Sequence, residues 1–196
     1  MPAGMDDYPD GFAASLGLNT FHDSSWGKDV QSFGGFVIML NNGAIHWVAR
    51  KVRIIPDSTA EAETAVASRA AKDAVGVRLV RDDIRAGVHG PTVLLGDCKA
   101  MRDLIIKPGS TSTKRTKYFE RATLLLKRFY MLHVVVPVLI RTDDMTADVF
   151  TKAIHRDKLV RCRSYMLNHE RDPISFGALS GKVRRILKQL LAHDSG

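Results

Sequence analysis

Apolar positions recur at spacings of three, four and seven from Glu63 through Val66, Ala70, Ala74, Val77 and Ile84, the stripe of an amphipathic helix with one carboxylate at its leading end. That acid points toward the protein. Ser58 or Thr59 can cap the first turn, Glu61 and Glu63 suit its positive end, and Gly87 supplies the stop. The helix so defined is about 28 residues, roughly 40 Å. Gly76 in its interior costs on the order of 1 kcal/mol against Ala and needs a packing reason.

Upstream, Leu18 to Asp23 and Gly34 to Leu40 are apolar strand patterns. The turn Asn41-Asn42-Gly43 leads into Ile45 to Lys51, where alternation predicts Ile45, Trp47 and Ala49 facing inward. Downstream, Pro91 to Leu95 is a strand that delivers Asp97, Ala100 to Ile106 a short helix closed by Pro108-Gly109, and Thr116 to Met131 a longer helix. His133 to Ile140 is a strand whose Pro137 fits an edge or a bulge. Thr142 or Asp143 then caps a helix through Ala153. The order predicts an α/β fold, a mixed five-stranded sheet with helices on its faces.

The ends differ in character. Residues 1–15, with Pro2, Gly4, Pro9 and Gly11, form a flexible leader, and residues 16–155 form the domain. Residues 156–196 form a basic helical extension: a helix over Leu159 to Leu167, a turn-rich connector over Arg171 to Gly181, and a basic amphipathic helix over Val183 to Leu191.

Composition narrows the class. With 196 residues and 45% hydrophobic positions the chain can hold one sizeable core. It has no apolar run long enough for a membrane span and no basic leader, so an intracellular protein, cytoplasmic or nuclear, is expected. Cys98 and Cys162 are too few and too far apart for a disulfide framework or a zinc site. The net charge of +8 favours a polyanionic partner, and the basic residues crowd two segments, around Lys114 to Arg128 and beyond Arg156.

Four acids sit at strand ends or core-facing helix starts: Asp23, Glu63, Asp97 and Asp148. Carboxylates brought together repel one another and neutralise unless cations hold them. Oxygen ligands without His or Cys suit Mg²⁺, with Mn²⁺ as a substitute. Two such ions about 4 Å apart are the arrangement for in-line phosphodiester hydrolysis.

Seven motifs sharpen this: Phe21-His22-Asp23-Ser24-Ser25-Trp26-Gly27, Gly34-Gly35-Phe36-Val37, Ile45-His46-Trp47, Ser58-Thr59-Ala60-Glu61-Ala62-Glu63, Gly96-Asp97-Cys98-Lys99-Ala100, Arg115-Thr116-Lys117, and Thr146-Ala147-Asp148-Val149-Phe150-Thr151-Lys152. In order and spacing, over roughly residues 18–167, they resemble the ribonuclease H domain of copia-type retrotransposon polyproteins. The resemblance implies the ribonuclease H-like fold and a two-Mg²⁺ endonuclease acting on the RNA strand of RNA/DNA hybrids. It further implies Asp23, Glu63, Asp97 and Asp148 as catalytic, metal-binding acids. Nothing in the family accounts for residues 168–196, and the C-terminal extension is a candidate docking element for a reverse transcriptase or larger assembly. The chain departs from the family's usual residues at Ser25, Cys98 and Tyr118, none of them a metal-binding acid.

A protein distinguishes the RNA strand by bonding to its 2′-hydroxyls across the shallow minor groove. Ser24 and Ser25, beside the first acid, are candidates for that contact, and Lys114, Arg115 and Lys117 for the phosphates. Lys152 either approaches the scissile phosphate or complements a helix end. His22, His46 and His133 are expected to be structural, and Trp26 and Trp47 to pack on the core or the sheet. The rival reading is a non-catalytic, domesticated subunit that binds RNA or protein within a larger complex.

Overall fold

The structure, a computed structural model, describes residues 17–26, 32–41, 43–52, 55–88, 90–107 and 117–168. The expected leader, Lys114 and Arg115, the Pro108-Gly109 closure, and the connector and helix expected over 171–191 lie outside the described residues.

Five strands form one sheet in the order β3-β2-β1-β4-β5. Strands β1 (Leu18–Ser25), β2 (Phe33–Leu40) and β3 (Gly43–Lys51) make an antiparallel meander. Strands β4 (Thr92–Gly96) and β5 (Val135–Leu139) add on the other side of β1, in parallel. Pro137 accordingly sits on an edge strand, where its missing N–H breaks no ladder.

Alternation along β1 sends Leu18 to one face and Phe21 to the other, and two cores follow. On the first face, Leu18, Phe36, Ile38 and Leu94 pack against helices α1 (Thr59–Asp83), α2 (Lys99–Ile106) and α3 (Lys117–Met131). On the second, Phe21, Val37, Met39, Leu95 and Val138 are covered by Met145 and Ala147, with Tyr165 and Met166 of helix α4 (Arg156–Met166) packed alongside.

The Ser58 hydroxyl accepts from the Glu61 N–H and caps α1, while the Glu61 carboxylate reaches back to the Asp57 N–H. Glu63, Val66, Ala70 and Ala74 are buried as the stripe requires. The helix nevertheless ends at Asp83, before Gly87, where Arg85 turns left-handed with φ 57° and the Ala86 N–H bonds to the Arg81 carbonyl. Ile84 is therefore exposed, not core, and no atom lies within 4 Å of a Cβ built on Gly76, so that glycine has no packing reason.

Two other expectations are corrected. Ile45 and Trp47 face outward, 45% and 61% exposed, and Ala49 is exposed too; Ala44, His46 and Val48 take the inner positions. Alternation fixes which residues share a face but not which face is covered. On this edge strand, register against β2 slips between Ile38 and Met39, and α1 covers the His46 side. In place of one helix to Ala153 there are two short 3-10 turns, Thr142–Asp144 and Thr146–Phe150. Met145, extended between them and fully buried in the second core, breaks the helical path.

Close approach on both sides of β2 depends on two glycines. A Cβ on Gly34 would lie 2.4 Å from Val66 Cγ2, and one on Gly35 would lie 2.4 Å from the Phe150 Cβ. Gly35 pairs with Asp23, so the second contact sets how near the Phe150-Thr151 segment comes to that acid. Gly35→Ala should cost about 1–3 kcal/mol through overpacking. Urea denaturation measures it, and an unchanged midpoint would contradict this account of the packing.

Candidate metal centre

Parallel pairing aligns Phe21 with Leu95, so the same register carried two residues further sets Asp23 on β1 level with Asp97 just past β4. The start of α1 lies over the same strand end. His22 and Ser24, on the helix side of β1, meet Glu63: the Ser24 amide and hydroxyl both donate to Glu63 Oε1 at 2.9 Å, and His22 Nδ1 lies 3.4 Å from Oε2. The His22 ring fits because Gly96 has no side chain; a Cβ there would meet the ring at 2.7 Å.

Asp23 points to the opposite face of β1. Its Oδ2 accepts from the Thr151 hydroxyl and lies 3.5 Å from Lys152 Nζ. Asp97 Oδ2 accepts from the Thr142 hydroxyl at 3.0 Å. One oxygen from each of Asp23, Glu63 and Asp97 lies within 4.8 Å of the others. Asp23 and Glu63 are each 2% exposed, and Glu63 Oε2 makes no hydrogen bond.

Asp148 is also 2% exposed but belongs to a different arrangement. Lys152 Nζ stands 3.0 Å from its Oδ1 and Lys158 Nζ 2.5 Å from its Oδ2. Lys152 thus joins Asp148 to Asp23, and Lys158 also donates to the Thr142 carbonyl at 2.7 Å.

Burial pushes the Asp23 carboxyl up to about 6; the charges of Glu63 and Asp148 add to this, against the Thr151 hydrogen bond and Lys152. Burial works to lower the Lys152 ammonium, but its hydrogen bond to Asp148 and the charges of Asp23, Asp148 and Asp97 outweigh it and hold it above its ordinary value. An all-oxygen donor set, a buried carboxylate oxygen without a hydrogen bond and an acid whose charge is disfavoured where it stands together fit a hard divalent cation on Asp23, Glu63 and Asp97.

The other expected site residues are distributed as follows. Ser24 is buried with its hydroxyl on Glu63, so it orients a carboxylate; Ser25 exchanges hydrogen bonds with the backbone of Phe33. Lys117 opens α3 and is exposed. Trp26 donates to the Pro56 carbonyl, and His46 lies 3.4 Å from Asp73. Lys158, Thr142 and Thr151 were not singled out by the sequence reading for this site. Thr151 carried a signal, next to Lys152 in the seventh motif, whereas Lys158 is ten residues from Asp148 and reaches it only because α4 folds back.

No profile of a known protein family matches the chain, and no curated protein does. Solved structures do. The N-terminal RNase H domain of Rv2228c from Mycobacterium tuberculosis superposes with a TM-score of 0.52 at 12% identity, over 76% of this chain and 98% of that one. LC11-RNase H1, solved with an RNA/DNA hybrid, gives 0.51 at 15% identity, over 68% and 93%. The foamy viral protease-reverse transcriptase, also with a hybrid, gives 0.50 at 12%, over 70% of this chain and 19% of that one. The chain has the ribonuclease H-like fold.

The Asp23 shift has a sign that can be checked in metal-free protein. An aspartate whose folded pKa is raised from 3.8 to about 6 destabilises the folded state fully above about pH 6, and the penalty shrinks as pH falls through 6 and is gone below about 4. Thermal unfolding in chelator should show Asp23→Asn more stable than wild type at pH 7, on the order of 2 kcal/mol, with the gap narrowing below pH 6 and closing near pH 4. A gap that widens on acidification would refute the assignment.

Proposed function

We propose that the chain is a divalent-metal-dependent endonuclease that hydrolyses the RNA strand of RNA/DNA hybrids and derives from a copia-type retroelement. The supporting observation is the convergence of Asp23, Glu63 and Asp97 oxygens within 4.8 Å at one end of a ribonuclease H-like sheet, with Glu63 Oε2 buried and without a hydrogen bond. Solved neighbours with this fold were captured with RNA/DNA hybrids, and seven motifs in register support the retroelement origin.

A bound Mg²⁺, or Mn²⁺, supplies Lewis-acid charge at a phosphate and a water of lowered pKa. The chain's own residues make that site specific. Ser24 fixes the Glu63 carboxylate with two hydrogen bonds, Thr151 fixes Asp23, and Thr142 fixes Asp97, so the three oxygens are aimed before any ligand arrives. Lys152, 40% exposed, presents positive charge toward a phosphate approaching the acids. Lys117, with Lys114 and Arg115, adds sequence-independent, salt-sensitive contact to the backbone.

The second reading, a hybrid- or RNA-binding subunit without chemistry, draws on one observation: Asp148 is already paired with two lysines. One assay separates the two. Asp97→Asn keeps shape and removes charge, and should lower hybrid cleavage in Mg²⁺ at least about a hundredfold, since even loss of a residue supporting a metal ligand costs about 10–100-fold. Binding of the hybrid and thermal stability should change little. Equal cleavage by the variant and the wild type, or none by either, would defeat the nuclease assignment.

A further inference from the structure

Asp148 is the acid that a two-ion site would need as a ligand, and both of its oxygens are engaged by cationic nitrogen. Neither ammonium is a loose surface group. Lys158 is held on α4, 20% exposed, with a second bond to the Thr142 carbonyl; Thr142 in turn holds Asp97. Lys152 spans Asp148 and Asp23, the one acid shared with the triad.

Charge balance gives the same picture. Four carboxylates and two ammonium groups leave the cluster at −2, which one divalent ion neutralises; a second ion would leave it at +2 and would have to displace a lysine from a buried carboxylate. The donor set of Asp23, Glu63 and Asp97 fits an ion, and the surroundings of Asp148 do not.

We propose that Lys152 and Lys158 take the place of a second metal ion, so that this chain binds one divalent cation, on Asp23, Glu63 and Asp97, beside a fixed pair of ammonium groups on Asp148. The inference rests on the nuclease reading above and narrows it. The lysines supply positive charge facing the same acids, but an ammonium cannot generate metal-bound hydroxide, so water activation belongs to the single ion's side.

Electron paramagnetic resonance of Mn²⁺ added to the full chain tests this without reference to turnover, because two Mn²⁺ ions about 4 Å apart are exchange-coupled whereas one gives an isolated-ion spectrum. It is run on free protein and with a short RNA/DNA hybrid already nicked in its RNA strand. Wild type should bind one ion per chain with an isolated-ion spectrum in both samples. The double variant Lys152→Gln, Lys158→Gln, which frees both Asp148 oxygens, should bind two and show coupling. A coupled pair in wild type would overturn the proposal and leave the metal centre standing. A double variant that folds, by its melting profile, and still binds one isolated ion would overturn it too. Should the double variant not fold, the wild-type spectrum with the nicked hybrid decides alone. No bound Mn²⁺ in wild type, or identical binding by Asp97→Asn, would remove the metal centre itself and the nuclease reading with it.

Discussion

Burial of negative charge where β1 meets the first turn of α1 is the constraint that organises this structure. Two hydrogen bonds from Ser24 to Glu63 Oε1 stabilise that carboxylate, each on the order of 1.5–3 kcal/mol for a charged acceptor. Removing a carboxylate from water costs several kcal/mol even after relaxation, and Glu63 has Asp23 and Asp97 beside it. Local hydrogen bonds therefore orient the acids without neutralising them. Positive charge reaches this end of the sheet from outside the β1-α1 unit, through Lys152 on Asp23 and Asp148 and Lys158 on Asp148.

Small residues make that concentration of charge possible. The face of α1 that meets the sheet is built from Ala62, Ala67, Ala70, Ala71 and Ala74, all buried, so the helix axis can approach β1 and β2 closely enough for Glu63 to reach Ser24. Gly34 continues the same logic on β2 against Val66, and Gly35 repeats it on the opposite face against Phe150. A helix with Leu at those alanine positions would bury more apolar area. It would also stand farther off, and the carboxylate would no longer meet the strand.

Much of this was legible in the chain. Strand periodicity predicts five strands, and their order with the helices is the one found as far as β5; Ser58 announced the α1 cap; the stripe from Glu63 to Ala74 announced which acid turns inward. Asp23, Glu63 and Asp97 were legible as site candidates because each follows a strand or opens a helix, and such positions converge in an α/β fold. What was not legible is tertiary. Trp47 alternates like a core residue, but nothing local states that the sheet face under β3 is left open. The segment after β5 carries capping residues and apolar positions suited to a helix, yet burial of Met145 and the Thr142 bond to Asp97 hold it in two short turns. Gly87 looked like a helix stop, and Arg85 reached the left-handed region first.

The pairing of Lys158 with Asp148 shows how the two layers of the molecule depend on each other. Helix α4 is seated on the second core by Met166 and by Tyr165, whose ring meets Phe21 edge-on at 5.7 Å. Phe21 is two residues before Asp23 on the same face of β1. The contact that docks α4 therefore also fixes how far Lys158 stands from the acids. Removing Lys158 would leave Asp148, buried at 2% exposure, with Lys152 alone, and Lys152 is shared with Asp23. The charge on Asp148 would then compete with Asp23 for one ammonium, raising the cost of keeping both ionised. A helix that the sequence presents as the start of an appendage is, in the folded chain, what lets four carboxylates lie at one end of the sheet.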